Sequence, residues 1–136
     1  MIKPIVHDPL QLSTPAAPAT PLDAGIVTDL LDTLRAHEDN CVGMAANMIG
    51  QNKRIIVVLM GVLPVAMINP QLRQKSQPFQ TQEGCLSLTG ERPTTRYQTI
   101  TVDYLNQQFQ PQHQQFSGFV AQIIQHELDH CNGIVI

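Results

Sequence analysis

Three residues near the end of the chain have the types and the spacing needed for metal-dependent hydrolysis. His126, Glu127 and His130 form the pattern His-Glu-x-x-His within the run QHELDH. On a helix, residues four apart share a face, so the two imidazoles can reach one metal ion. Glu127 would then project near the open position of the ion, where a water molecule needs a general base. The same short pattern also occurs by chance on solvated helices that bind nothing.

The surrounding sequence favours the metal site over a chance match. The pattern predicts an amphipathic helix from about Gly118 to Cys131, with Ser117 as its N-cap and Asn132-Gly133 as its C-terminal stop. Apolar residues precede the motif along this helix, so the helix is expected to pack on a core. The motif therefore lies on a buried element.

A catalytic site of this kind needs a third protein ligand and one open position. Only residues 131–136 follow the motif, and the one coordinating type among them, Cys131, points away from the face of the two histidines. The third ligand is therefore expected upstream. Cys85 stands out because a flexible glycine precedes it and a serine follows two positions later, in EGCLS. The full set of candidates is Cys41, Cys85, His7, His37, His113 and the carboxylates.

The motifs EGCLS and QHELDH, in this order, resemble those of the peptide deformylases. In that family the cysteine of the first motif and both histidines of the second hold the metal, and the glutamate is the acid/base. The resemblance implies one divalent metal ion per chain, bound by Cys85, His126 and His130, with Glu127 as the catalytic group. It favours Fe²⁺ as the native metal, and a thiolate ligand also suits Zn²⁺, Ni²⁺ or Co²⁺.

The resemblance also implies a substrate and its contacts. The reaction would remove the N-formyl group from the N-terminal formyl-methionine of nascent peptides, ribosome-associated chains included. The metal and the backbone N–H of Leu86 would hold the oxyanion, while Glu127 moves the proton. The methionine pocket would be formed by Val42, Gly43, Phe119 and Ile123, with His126 closing one side. Phe119 and Ile123, four apart, could equally be core residues.

One segment departs from the family pattern. The family has Gly-apolar-Gly-apolar-Ala-Ala-x-Gln, whereas residues 41–48 read CVGMAANM. Cys41 replaces the first glycine, and Met48 replaces the glutamine that normally donates a hydrogen bond to the oxyanion. A thioether cannot donate, so reduced activity is expected.

The elements that must position these residues indicate an α+β domain. Strand patterns come mostly before the C-terminal helix, and the resemblance implies antiparallel β-sheets around a central helix that carries the HExxH motif. The segment Gln74–Gln82 is polar and could be an edge strand or a loop. Arg96 is expected to form an ion pair with Glu83 or Asp129. The predicted elements are an irregular arm over 4–21, a helix from Ala24 to about Glu38 with Asp23 as a candidate N-cap, and strands over 54–60, 65–68, 94–105 and 109–115.

Composition narrows the class of protein further. A length of 136 residues predicts a single domain spanning 1–136. A net charge of −3 without a lysine or arginine cluster argues against direct nucleic-acid binding. Three cysteines without framework spacing argue against a disulfide scaffold. The apolar stretch 55–68 is broken by Gly61 and Pro64, and no signal peptide is recognised, so we expect a cytoplasmic protein without a membrane span.

Three functions compete for this sequence. The first is peptide deformylase activity, reduced by Met48. The second is a catalytically weak homologue that binds metal and modified peptide N-termini without efficient turnover. The third is a general zinc peptidase, against which the EGCLS motif and the lack of a downstream ligand argue. The first two differ only around Met48, and turnover of a formyl-methionyl peptide distinguishes them.

Overall fold

The computed structural model describes residues 1–85 and 87–136, with only the backbone given at positions 88 and 89. The described residues form three α-helices, α1 (Pro9–Leu12), α2 (Ala24–Ala36) and α3 (Gly118–Cys131), and two 3₁₀ turns, Pro21–Asp23 and Ala46–Ile49. The strands are β1 (Gly43–Ala45), β2 (Ile55–Met60), β3 (Leu63–Cys85), β4 (Leu88–Leu105) and β5 (Pro111–Ser117). The predicted α+β class is confirmed.

The five strands form one antiparallel sheet in the order β1-β2-β3-β4-β5, so each strand pairs with its neighbours in sequence. The first part of β3 pairs with β2, while Gln71–Cys85 pairs with β4 alone. The stretch Gln74–Gln82, which the sequence left open between strand and loop, is therefore strand. This long β3–β4 ribbon ends at Cys85, so the cysteine lies at its tip.

The core lies between the sheet and the helices. Residues 55–58 of β2 are buried on both faces, and Ile100, Val102 and Tyr104 of β4 alternate inward as predicted. Helix α3 packs on β1, β2 and β4 and buries Ile124 and Leu128. Gln125 fixes its position on the sheet, because the side-chain amide accepts from the Tyr97 N–H (2.9 Å) and donates to the Tyr97 carbonyl (2.8 Å).

Local capping differs from the sequence prediction at two places. Helix α2 begins at Ala24 as expected but ends at Ala36, and the Asp23 carboxylate accepts from the Thr20 N–H (2.9 Å) rather than capping this helix. Ser117 precedes α3 as predicted, yet its hydroxyl lies 3.3 Å from the Thr99 hydroxyl instead of capping the helix. Tertiary packing therefore fixes the start of α3.

The N-terminal arm is more ordered than its prolines suggested. Asp8 accepts a hydrogen bond from the Leu10 N–H (3.0 Å) and so begins the short helix α1. The Val6 N–H donates to the Met48 carbonyl (2.7 Å), and the His7 Nδ1 lies 3.0 Å from the Ser87 carbonyl oxygen.

None of the helices in the described part of the chain has the length and hydrophobicity of a membrane-spanning helix.

Candidate metal centre

The tip of β3 and the last turns of α3 bring three metal-ligating side chains together. One ligand atom from each of Cys85, His126 and His130 lies within 4.8 Å of the other two. The Cys85 Sγ is 3.3 Å from the His130 Nε2, and the two imidazole centroids are 5.0 Å apart. Both histidines are buried, at 8% and 0% exposure. The structure thus brings together the three ligands that the sequence predicted, although Cys85 and His130 are 45 residues apart in the chain.

The donor set fits a divalent metal of the zinc and iron type. One thiolate and two imidazoles match the three protein ligands of catalytic sites that keep an open position. The His126 Nδ1 is bound to the Glu83 carboxylate at 2.8 Å, so its Nε2 is left to ligate, which is the usual arrangement of a ligating histidine. Burial lowers the pKa of His130 to about 3, so this ring is neutral and its lone pair is available.

His126 has the opposite electrostatic setting. Burial alone would lower its pKa, but hydrogen bonds with Cys85 and Glu83 outweigh burial and raise it. A proton on this ring competes with a metal ion for the same lone pair, so metal binding must release it.

Glu83 is the centre of a buried polar network behind the ligands. Its carboxylate is 7% exposed and accepts hydrogen bonds from Arg96, at 2.7 to 3.1 Å, and from the Gln122 amide, at 2.9 Å. The Arg96 Nη1 also donates to Asp129 Oδ2 (2.7 Å). Burial would raise the pKa of Glu83, yet the bonds from His126, Arg96 and Gln122 lower it to about 2. The predicted pairing of Arg96 is confirmed with both carboxylates.

Glu127 lies next to the two histidines on α3, and its carboxylate is buried beside them. It is 3% exposed, and its Oε1 has no hydrogen-bond partner within the described ranges. Burial raises its pKa to about 7, against the opposing effect of the nearby His126. A carboxylate with a pKa near neutrality can both take and return a proton at physiological pH. The arrangement is thus suited to acid/base chemistry.

Gly43 is required for this carboxylate to sit where it does. A Cβ at this position would lie 2.6 Å from the Ile123 Cγ2 and 2.9 Å from the Glu127 Oε2. Since real Cβ atoms essentially never come this close, strand β1 can approach α3 only without a side chain here. The glycine therefore brings the backbone of β1 against the Glu127 carboxylate.

The cavity in front of these groups has a volume of about 430 Å³. Its lining includes all four residues predicted to form the methionine pocket, Val42, Gly43, Phe119 and Ile123, together with His126. Phe119 is 63% exposed, so it lies at the rim rather than in the core. Sequence reasoning missed the amides of Asn40, Gln82 and Gln122 on the same wall.

The segment that departs from the family pattern places two sulfur atoms at the cavity. Met48 is buried, lines the cavity, and its Sδ lies 3.4 Å from the Ala45 nitrogen as an acceptor. The Cys41 thiol donates to the Gly43 carbonyl (3.0 Å), and burial raises its pKa to about 12. Cys41, one of the candidate third ligands, lines the cavity but does not belong to the ligand trio. Leu86, the predicted backbone donor to the oxyanion, lies outside the described residues.

The buried position of Glu83 leads to a stability prediction. Glu83→Gln should lower the free energy of unfolding of the metal-free protein by about 3 kcal/mol, because it leaves Arg96 buried with half its counter-charge. Asp103→Asn is the matched control, since Asp103 also lies between an arginine and a histidine, Arg73 and His113, but on the surface. Urea unfolding of both variants measures the difference. Equal effects would contradict the structural role given to Glu83.

Comparisons with known proteins agree with this geometry. The family model for polypeptide deformylase matches residues 2–136. A peptide deformylase of Clostridium beijerinckii is 54% identical over 136 residues, all of both chains, and one of Desulfitobacterium hafniense is 35% identical over 90% of this chain and 81% of its own.

Solved structures show the same likeness. A Thermotoga maritima peptide deformylase superposes with a TM-score of 0.89 at 30% identity, over 99% of this chain and 95% of its own. A class I type b peptide deformylase of Acinetobacter baumannii, solved with Met-Ala-Ser bound, gives 0.87 at 31% identity over 99% and 97%. With the family model spanning almost the whole chain and the ligand trio in place, this protein belongs to the peptide deformylase family.

Proposed function

We propose that this chain is a metal-dependent hydrolase that removes the N-formyl group from N-terminal formyl-methionine of nascent peptides, with activity reduced by Met48. The observation that carries the proposal is the buried Glu127 carboxylate, whose Oε1 has no hydrogen-bond partner among the described residues, beside Cys85, His126 and His130 at the end of an apolar-rimmed cavity. The family relationship supports the same reaction. A cytoplasmic protein acting on ribosome-associated chains would meet this substrate.

The residues divide the chemistry between them. A divalent metal, Fe²⁺ natively or Zn²⁺, Ni²⁺ or Co²⁺ in its place, would be held by Cys85, His126 and His130 and would supply Lewis acidity toward water and the formyl oxygen. Glu127 takes a proton from the attacking water as its oxygen bonds to the formyl carbon. When the carbon–nitrogen bond breaks, the same carboxylic acid returns the proton to the peptide amine. The products are formate and a free N-terminus.

The cavity walls orient the substrate in this proposal. Val42 and Phe119, at the rim, and Ile123, deeper inside, give the apolar contacts that a methionine side chain needs. The Acinetobacter baumannii relative was solved with Met-Ala-Ser bound, a peptide whose first residue is methionine. A formyl-methionyl peptide bound with its methionine side chain against these walls would bring its formyl group toward Glu127.

The alternative is a homologue that binds metal and modified N-termini with little turnover. Met48 favours it, because a buried thioether whose sulfur already accepts from Ala45 has no proton to donate to an oxyanion. Steady-state turnover of formyl-Met-Ala-Ser by anaerobically purified, Fe²⁺-loaded protein decides between the two. The proposal fails if release of formate does not exceed that of a sample without protein.

The ligand assignment predicts loss of stoichiometric metal. Cys85→Ser should reduce bound metal from one equivalent to well below it, because two histidines alone do not make a stable catalytic site. Cys131→Ala is the matched control, since Cys131 is buried on α3 and does not belong to the ligand trio. Elemental analysis of both proteins gives the answer. A full equivalent of metal in Cys85→Ser would remove Cys85 from the site.

The role of Glu127 predicts a separation of binding from chemistry. Glu127→Gln should keep one equivalent of metal yet lose about 10²- to 10⁴-fold in kcat, because an amide cannot accept the water's proton. Metal content and formate release are measured on the same preparation. Loss of the metal together with activity would mean that Glu127 ligates rather than transfers protons.

The replacement of a donor by Met48 predicts a gain of function. In Met48→Gln, the new Oε1 can accept from the Ala45 N–H in place of the sulfur, leaving the Nε2 to donate into the cavity. We expect kcat to rise about tenfold or more, roughly 1.4 kcal/mol, with KM nearly unchanged. Met48→Leu, which fills similar space without a donor, should stay at the wild-type rate. Unchanged kcat in Met48→Gln, with wild type already fast, would mean that another group supplies the donor.

A further inference from the structure

Asn47 links the segment around Met48 to the metal-binding helix. Its side chain is in the second 3₁₀ turn, 4% exposed, and its Nδ2 donates to the backbone carbonyl of His130 at 2.8 Å. This bond joins residues 83 positions apart in sequence. Because a carbonyl oxygen only accepts, the bond also fixes which end of the amide is nitrogen. The other end, Oδ1, is buried and has no hydrogen-bond partner in the described part of the chain.

The imidazole of His130, like the Asn47 amide, has a buried polar atom without a hydrogen-bond partner in the described part of the chain. Its Nε2 faces the Cys85 sulfur at 3.3 Å, while its Nδ1 is buried and finds no hydrogen-bond partner among residues 1–85 and 87–136. A buried polar atom without a hydrogen-bond partner destabilises the folded state, because it has lost its contacts with water and gained none in return. Two such atoms here belong to residues already joined by a hydrogen bond, so a single interaction could satisfy both.

Metal ligation makes the two atoms complementary. A histidine that ligates through Nε2 must carry its proton on Nδ1, which then becomes an obligatory donor. The Asn47 Oδ1 is an obligatory acceptor, because its amide orientation is fixed by the carbonyl of His130. Elsewhere in the site, the His126 Nδ1 meets the same requirement through Glu83 at 2.8 Å. His130 lacks an equivalent carboxylate within hydrogen-bonding distance among the described residues.

We propose that Asn47 is the positioning residue for the metal ligand His130. Its Nδ2 holds the backbone of the last turn of α3, and its Oδ1 accepts the His130 Nδ1–H, directly or through one water, when the Nε2 ligates the metal. The proposal rests on the proposed function in taking His130 as a ligand through Nε2. It gives the two ligating histidines different supports, a carboxylate behind His126 and an amide behind His130.

Zinc affinity tests the first part of the proposal. Asn47→Ala and Asn47→Leu should bind Zn²⁺ about 10- to 100-fold more weakly than wild type in competition with a chromophoric chelator. Asn47→Leu fills the side-chain volume and carries the test if the alanine variant does not fold. Asn69→Ala is the control, because the Asn69 amide bonds the Ala19 backbone twice, at 2.7 and 2.9 Å, and is not part of the cavity wall. It should lower Tm and leave zinc affinity unchanged.

A spectroscopic signature tests the second part. In zinc-loaded wild type with ¹⁵N-labelled histidine, the His130 ring should show a protonated Nδ1 whose proton exchanges slowly with water. In Asn47→Leu the same proton should exchange faster, while that of His126 should not change. If Asn47 had a purely structural role, the Asn47 variants would have a lower Tm but unchanged zinc affinity and unchanged exchange of the His130 ring proton. Wild-type zinc affinity and an unchanged His130 resonance in both Asn47 variants would overturn the inference, whereas wild type that binds no zinc would overturn the metal site itself.

Discussion

The buried carboxylate of Glu83 is the interaction on which the rest of the site depends. It joins three elements, because Glu83 lies near the tip of β3, Arg96 lies on β4, and His126 and Gln122 lie on α3. A buried charge is tolerated only when it is paired and hydrogen-bonded, and here each carboxylate oxygen accepts more than one bond. The network therefore orients the first histidine ligand and holds the cysteine-bearing ribbon against the helix at the same time.

This network explains why a polar, half-exposed ribbon can carry a metal ligand. From Gln71 onward, β3 has only β4 as a neighbour, and its side chains are mostly exposed. Little apolar burial fixes such a ribbon to the domain. The ion pairs from Arg96 to Glu83 and Asp129, together with the Gln125 amide on the Tyr97 backbone, supply directional contacts instead. Directional polar contacts thus hold this ribbon against the domain, as apolar packing holds the other strands.

Much of the fold and site follows from the sequence, because the strongest patterns coincide with local physics. The bounds of α3 and the alternation of Ile100, Val102 and Tyr104 depend on helical and strand periodicity, which a single sequence displays. His126 and His130 follow from the spacing of the HExxH motif, whereas the resemblance of EGCLS to the family motif selected Cys85 from several upstream candidates.

Other features depend on contacts between distant segments, which no local pattern encodes. Asn47 reaches a carbonyl 83 residues away, and His7, one of the candidate ligands, lies 3.0 Å from the Ser87 carbonyl oxygen instead. The strand state of Gln74–Gln82 comes from pairing with β4, since its residues have weak strand propensity. The inward role of Glu83 had one signal, its place beside Cys85, but a glutamate there could as well face solvent.

The free edge of β1 explains how two sulfur atoms fit beside the acid/base group. The Leu59 N–H donates to the Val42 carbonyl, and Gly43 pairs with Val58, so the polar groups of Gly43 and Ala45 face away from β2. The Cys41 thiol and the Met48 thioether satisfy one group on each residue, the Gly43 carbonyl and the Ala45 N–H.

Both sulfur contacts are weak hydrogen bonds within one short segment. An amide oxygen in place of the thioether would accept from the Ala45 N–H more strongly, so the fold at this edge does not require sulfur. The packing of β1 against α3 therefore does not require a residue without a hydrogen-bond donor at position 48.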